Sequence, residues 1–323
     1  MTNVGTQEPS QHKPGLIQRV LQSRWFKLVG GGGIVTLSVA FLGYFLYKNW
    51  STIAAYHWRV DYLALALSAL LHLGAFATGI LGWHSIISRL VGVDDLALNA
   101  RIYSISVVAR RIPGTAWEIA TRVVMYSELG VSKAIVGLGS LLEILVTMLA
   151  GSVLYLALSP FTASYASRLG DWPLLAALGL GAILTHPRLV TYVARKVRRD
   201  ALPVALRYPD TLRWFWIYVV DWIIGGLVLF ATVRTIYALP YSYLLQVIAD
   251  WTLTGVLTSF ITFVPSSLGL REVTFTLLLS RYMPEHVAIV AAILVRLLMT
   301  VYSLLWLLVA TRLGKTKEKS LHA

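Results

Sequence analysis

The 323-residue sequence has no cysteine. Disulfides, thiolate metal sites and thiol redox chemistry are therefore excluded. Charge is scarce, at 13% of residues, and acid is scarcer than base: 15 Asp and Glu stand against 28 Lys and Arg. The motifs of soluble-type chemistry are also missing, since no His-Glu-x-x-His, Walker lysine or nucleophile elbow occurs. No enzyme activity, metal or cofactor is expected on these grounds. Without an ATP site, any transport would be passive or ion-coupled.

What the chain has in abundance is apolar surface. It is 57% hydrophobic, with a mean hydropathy of +0.70, more than a soluble domain of this length could bury. Repeated apolar runs near 20 residues place it among all-α polytopic membrane proteins. A formal net charge of +13 would point to nucleic acid in a soluble protein. Here the basic residues flank the apolar runs, which fits contact with an anionic inner leaflet, and no nucleic-acid partner is expected.

Six crossings are expected, over residues 28–47, 62–82, 131–156, 172–185, 214–236 and 286–310. The 1–27 tail, the segment between the fourth and fifth crossings and the 313–323 tail are rich in Lys and Arg. The positive-inside rule puts all three in the cytoplasm. The expectation is a multi-pass cell-membrane protein with both termini cytoplasmic. Its membrane domain covers 28–312, with halves 28–157 and 172–312.

Two segments fall outside this count. In residues 96–129 a first arm, Leu96–Ala109, is about 20 Å long as helix, against a hydrocarbon core of about 30 Å. Pro113 and Gly114 then break the chain, and Thr115 with Glu118 fits a capping box for a new helix. The expectation is a re-entrant hairpin, with its backbone at membrane depth buried in protein or lining a polar cavity. The second segment, 240–283, breaks at Pro265 and Gly269, just before Arg271 and Glu272. It is read as another hairpin, with a full span as the open alternative. Crossing, crossing, hairpin, crossing thus occurs twice, the second time inverted. Glu143 follows Pro113 by 30 residues and Arg296 follows Pro265 by 31. Inverted halves with broken helices in matching places point to a transporter-like site near the midplane.

These residues resemble a known family. RRIPGTAWEIATR (110–122), Glu143 in the following helix and FVPSSLGLRE (263–272) are similar to the transmembrane region of lysylphosphatidylglycerol synthases. That region also occurs as stand-alone, flippase-like membrane proteins. The resemblance covers most of residues 20–312. Its most specific element is proline-glycine-glycine-x-glycine-x-arginine-glutamate, here with Ser266 and Ser267 in place of two glycines. In two-part members this region is implicated in moving aminoacylated phospholipid between leaflets, while a separate soluble domain makes the lipid. A chain of 323 residues leaves no room for that domain, so aminoacyl transfer is not expected here.

Arg110, Arg111, Arg122 and Arg271 are candidates for holding a headgroup phosphate, because the guanidinium fork matches phosphate oxygens. The plainer reading is that they snorkel, or pair with Glu118 and Glu272. Pro113, Gly114, Pro265 and Gly269 shape the substrate-facing breaks. Glu143 and Arg296, each mid-span, are candidates for gating or coupling, or for an ion pair joining the halves. Asp221 and Asp250 are weaker candidates for proton coupling, and His72 reads as a packed polar residue. The expected function is movement of an anionic or polyprenyl-linked lipid headgroup between leaflets. The alternatives are an accessory subunit that holds lipid for an envelope-lipid biosynthetic enzyme, and a membrane-embedded transferase. Membrane lipids are the expected partners, and a homo-oligomer is compatible with the sequence.

Overall fold

Helix is the only regular structure among the described residues of the computed structural model, which are 44, 47, 48, 50–110, 116–161, 172–197, 206–261 and 270–321. The elements are α1 (Trp50–Ala55), α2 (Tyr62–Val91), α3 (Leu96–Ala109), α4 (Ala116–Glu128) and α5 (Lys133–Leu158). A short 3-10 turn, Ser159–Phe161, follows α5. Then come α6 (Trp172–Leu184), α7 (Pro187–Val197), α8 (Tyr208–Arg234), α9 (Leu244–Ile261), α10 (Leu270–Leu279) and α11 (Glu285–Leu321).

Four stretches among the described residues are long and apolar enough to cross a membrane: Tyr62–Val91, Lys133–Phe161, Tyr208–Arg234 and Glu285–Val309. They correspond to four of the six expected crossings. The first expected crossing, 28–47, lies outside the described residues apart from the helical Tyr44 and Tyr47. The fourth is represented by α6, whose 13 residues reach only about 20 Å. A turn at Thr185 then ends it.

Local chemistry sets where the helices begin and end. Asp61 caps α2 by accepting from the Ala64 N–H at 3.0 Å. Asp95 caps α3 by accepting from the N–H groups of Ala97 and Leu98 at 2.9 and 3.1 Å. The second crossing was expected to stop at Gly82, where His84, Ser85 and Arg89 lower the hydropathy. Helix α2 instead runs on to Val91, because lower hydropathy does not unwind a helix. It stops where Gly92 takes φ 83°, a left-handed conformation suited to glycine, and donates to the Ser88 carbonyl at 2.9 Å.

Helices α2 and α8 form the most extensive contact, an antiparallel pair. At one end the Asp61 N–H donates to the Thr235 carbonyl at 2.9 Å. At the other, Arg89 pairs with Asp210 at 3.1 Å. Around this pair, α2 packs on α3 and α5, and α8 packs on α9, α5 and α11. Helix α3 also contacts α4 and α11, α9 contacts α10 and α5, α4 contacts α5, and α10 contacts α11. The core is knitted by rings seated against glycines. Trp222 of α8 fits a slot between Gly151 of α5 and Gly255 of α9, where a Cβ on either glycine would strike its ring. The Trp222 indole N–H donates to the Thr147 carbonyl at 2.9 Å. Its apolar body is buried and its one polar atom is satisfied, as a buried tryptophan requires. His72 packs between Phe76 and Tyr302, as a packed polar residue should.

Candidate functional site

Helix α4 places Glu118 and Arg122 one turn apart on the same face. That face meets α3 and α5, and there Arg122 is 1% exposed. Its three nitrogens have separate acceptors. Nε donates to Ser106 Oγ of α3 at 3.0 Å, Nη2 to Glu118 Oε1 at 2.8 Å, and Nη1 to Glu143 Oε2 of α5. The guanidinium also lies over the Trp83 ring of α2 at 4.0 Å and faces Tyr103 of α3 at 5.1 Å. The other Glu143 oxygen accepts from the Tyr218 hydroxyl of α8 at 2.9 Å. Five helices therefore converge on the Arg122–Glu143 pair.

Arg110, at the end of α3, joins from the outer edge. It holds Glu118 with two contacts, Nε to Oε2 at 2.8 Å and Nη2 to Oε1 at 2.9 Å. Arg110, Glu118, Arg122 and Glu143 thus alternate in sign and sum to zero. A buried charge is tolerable only when paired and hydrogen-bonded, and this arrangement meets both conditions for Arg122.

Two glycines of α2 make room for the tyrosines. A Cβ at Gly79 would collide with the Tyr103 hydroxyl, and one at Gly82 would come within 2.7 Å of Tyr218 Cζ and Oη. Gly79 follows Gly74 and Ala77 in a run of small residues on α2. What it admits is an aromatic ring that lines the arginine site. One turn along α8 from Tyr218, Asp221 accepts from Thr78 Oγ1 at 2.7 Å. Asp250 lies elsewhere, between Arg281 at 3.4 Å and the Tyr282 hydroxyl at 2.8 Å.

Behind Trp83 runs a chain of neutral groups. The Trp83 indole N–H donates to the Tyr126 hydroxyl at 3.0 Å, which donates to Asn99 Oδ1 at 2.6 Å. Asn99 Nδ2 donates to the Val93 carbonyl at 2.9 Å and reaches His84 Nδ1 at 2.9 Å. Since the carbonyl fixes Nδ2 as the donor, His84 Nδ1 must accept, and the ring proton sits on Nε2. Nε2 faces Asp94 at 3.3 Å. The chain connects a surface carboxylate to the ring on which Arg122 rests.

Of the sequence candidates, the structure brings together Arg110, Glu118, Arg122 and Glu143. Arg111, Pro113, Gly114, Pro265 and Gly269 lie outside the described residues, as does Thr115 of the expected capping box. Arg271 and Glu272 fall in the first turn of α10, but their side chains are not among the described ones. Arg296 lies within α11, where its carbonyl accepts from Thr300 Oγ1 at 2.7 Å. A Glu143–Arg296 pair across the halves was one expectation, yet the Glu143 oxygens face Arg122 and Tyr218. The reason is reach: α4 packs directly on α5 and delivers a cation from the same half. Trp83, Tyr103, Ser106 and Tyr218 had not been singled out, because neutral residues in apolar runs carry no charge signal. The closely spaced Gly79 and Gly82 were the available clue.

Exposure separates the two arginines. The Arg110 side chain is 56% exposed, so Arg110→Gln is expected to cost no more than about 1 kcal/mol of stability. Thermal unfolding of the purified protein in detergent checks this, and a loss as large as that for Arg122 would contradict it.

Compared with known proteins, the sequence matches no protein-family model and no curated protein.

Proposed function

We propose that the chain is an integral membrane lipid translocase of the flippase-like kind suggested by its resemblance to the lysylphosphatidylglycerol synthase membrane region. On this reading it moves an anionic phospholipid or polyprenyl-linked headgroup between leaflets. It has about six crossings, two re-entrant hairpins (α3–α4 and α9–α10) and cytoplasmic termini.

One observation carries the reading: the packing repeats. The contacts α2–α3, α3–α4, α4–α5 and α2–α5 have counterparts in α8–α9, α9–α10, α10–α11 and α8–α11, and the crossed contact α3–α11 is matched by α9–α5. The register agrees. Gly79 seats Tyr103, and Gly225, 146 residues later, seats Trp251, which lies 148 residues after Tyr103. Pro113 and Pro265 are 152 apart. On this reading the two halves are inverted repeats, and interrupted helices in matching positions support a transport site between them. Arg110 and Arg271, each next to a break, are the arginines assigned to the headgroup phosphate. Arg122 ties α4 to α3 through Ser106.

The test is leaflet accessibility. Purified protein in vesicles containing fluorescent phosphatidylglycerol should let a membrane-impermeant quencher bleach more than the outer-leaflet half. Arg271→Lys keeps the charge but loses the fork, so it should slow this while leaving the unfolding temperature unchanged. Bleaching that stops at one half for every anionic lipid tried would remove the translocase reading. Topology is checked separately with single cysteines. Ser51→Cys should label from outside intact cells, and Ser132→Cys only after permeabilisation.

The full internal pairing of Arg122 favours a second reading, a lipid-holding subunit that works for a partner enzyme without moving lipid. Co-purifying lipid with no change in leaflet accessibility would select it.

A further inference from the structure

Helix α7 (PRLVTYVARKV) stands apart from the bundle's apolar helices because its two faces differ so sharply. Pro187, Val190 and Ala194, at i, i+3 and i+7, are buried; Val190 and Ala194 belong to the main core. Arg188, Tyr192, Arg195 and Lys196 form the opposite, exposed stripe, and the helix has no acidic residue. Its start is fixed in place. The Arg188 N–H donates to His186 Nδ1 at 3.2 Å, which leaves the ring proton on Nε2 to face the Tyr208 hydroxyl at 2.5 Å. Tyr208 opens α8, one of the membrane-span-length helices. Helix α7 is thereby tied to the end of a helix long and apolar enough to span a membrane.

The basic stripe has an ordinary explanation only in part. Arg195 and Lys196 lie in the last turn, where the helix dipole favours cations. Arg188 is the second residue of the helix, where the dipole opposes a cation, so the dipole does not account for it. Arg188, Arg195 and Lys196 make no ion pair with another described residue. Tyr192, 63% exposed in the middle of the stripe, is amphipathic and suits the headgroup layer.

We infer that α7 is a membrane-surface element whose Arg188, Tyr192, Arg195 and Lys196 bind anionic phospholipid headgroups of the leaflet beside it. The inference rests on the membrane reading of the fold but not on lipid movement. Each cation held near an anionic surface shifts the partition about five-fold, so three act strongly together. A soluble polyanionic partner would use the same charges but would leave the stripe in water.

The absence of cysteine makes a direct test simple. Thr191→Cys lies at the edge of the stripe and leaves all four residues in place. The full-length protein carrying a nitroxide there is reconstituted in phosphatidylcholine vesicles with or without phosphatidylglycerol. Collisions with oxygen and with a water-soluble nickel chelate report the label's depth. Phosphatidylglycerol should lower nickel accessibility several-fold and raise oxygen accessibility. Arg188→Gln combined with Arg195→Gln and Lys196→Gln, a variant that removes charge without adding repulsion, should abolish the difference while gel filtration stays unchanged. Equal nickel accessibility in both vesicle types would overturn the inference, and so would an anionic-lipid response that survives loss of the three cations. Failure of the translocation assay alone would leave this result standing.

Discussion

Arg122→Gln is expected to cost about 3–5 kcal/mol of stability, because removing one partner of a buried ion pair leaves the other charge uncompensated. Glu143 would keep only the Tyr218 hydroxyl, Ser106 would lose its donor, and the Trp83 and Tyr103 rings would face a smaller neutral group. Arg122→Lys is expected to recover little of this, since one ammonium cannot serve three acceptors on three helices and still stack flat on a ring. Adding Glu143→Gln to Arg122→Gln should recover part of the loss by removing the stranded carboxylate. Denaturant or thermal unfolding in detergent, arranged as a double-mutant cycle, measures this coupling. The matching cycle between Glu143 and Arg296 should give additive losses. Strong coupling there, with none between Glu143 and Arg122, would contradict the arrangement described above.

The second large effect is expected from a single methyl group. Gly82→Ala places a Cβ within 2.7 Å of Tyr218 Cζ and Oη, closer than real contacts allow. The tyrosine ring is 3% exposed and wedged between helices, so it cannot swing clear without moving α8 away from α2. Overpacking of this kind costs about 1–3 kcal/mol. Displacing the hydroxyl also removes its bond to the Glu143 carboxylate, a hydrogen bond to a charged group worth about 1.5–3 kcal/mol. Tyr218→Phe alone should show the second cost without the first. The two changes together should cost less than their sum, since the hydroxyl bond can be lost only once. Strict additivity would mean that the Gly82 contact and the Tyr218–Glu143 bond are independent.

Much of the architecture was legible from the chain alone. Apolar length marked the runs that became α2, α5, α8 and α11, because hydrophobic burial and backbone satisfaction leave helix as the available structure for such a run. A helix was expected at Leu96–Ala109 and α3 has those bounds, since Asp95 caps one end and the sequence reaches Pro113 and Gly114, poor helix residues, soon after the other. Four charged members of the site, Arg110, Glu118, Arg122 and Glu143, were also visible, because charge in an apolar sequence is costly and therefore conspicuous.

Partners were a different matter. Periodicity places Glu118 and Arg122 on one face of α4, but says nothing about which neighbouring helix that face meets. Arg296 matched Glu143 in position and complemented it in charge, and by sequence it was the natural partner. Packing decided for Arg122, because α4 lies against α5. The neutral side chains that make the burial tolerable, Ser106, Tyr218 and Trp83, were indistinguishable from core residues until helices from distant parts of the sequence came together. The sequence by itself determined that the chain folds as helices and which of its groups are too costly to bury alone. Only the tertiary structure decided how those charges are neutralised, because a hydrogen bond or ion pair depends on distances of a few ångströms between segments that the chain order leaves free.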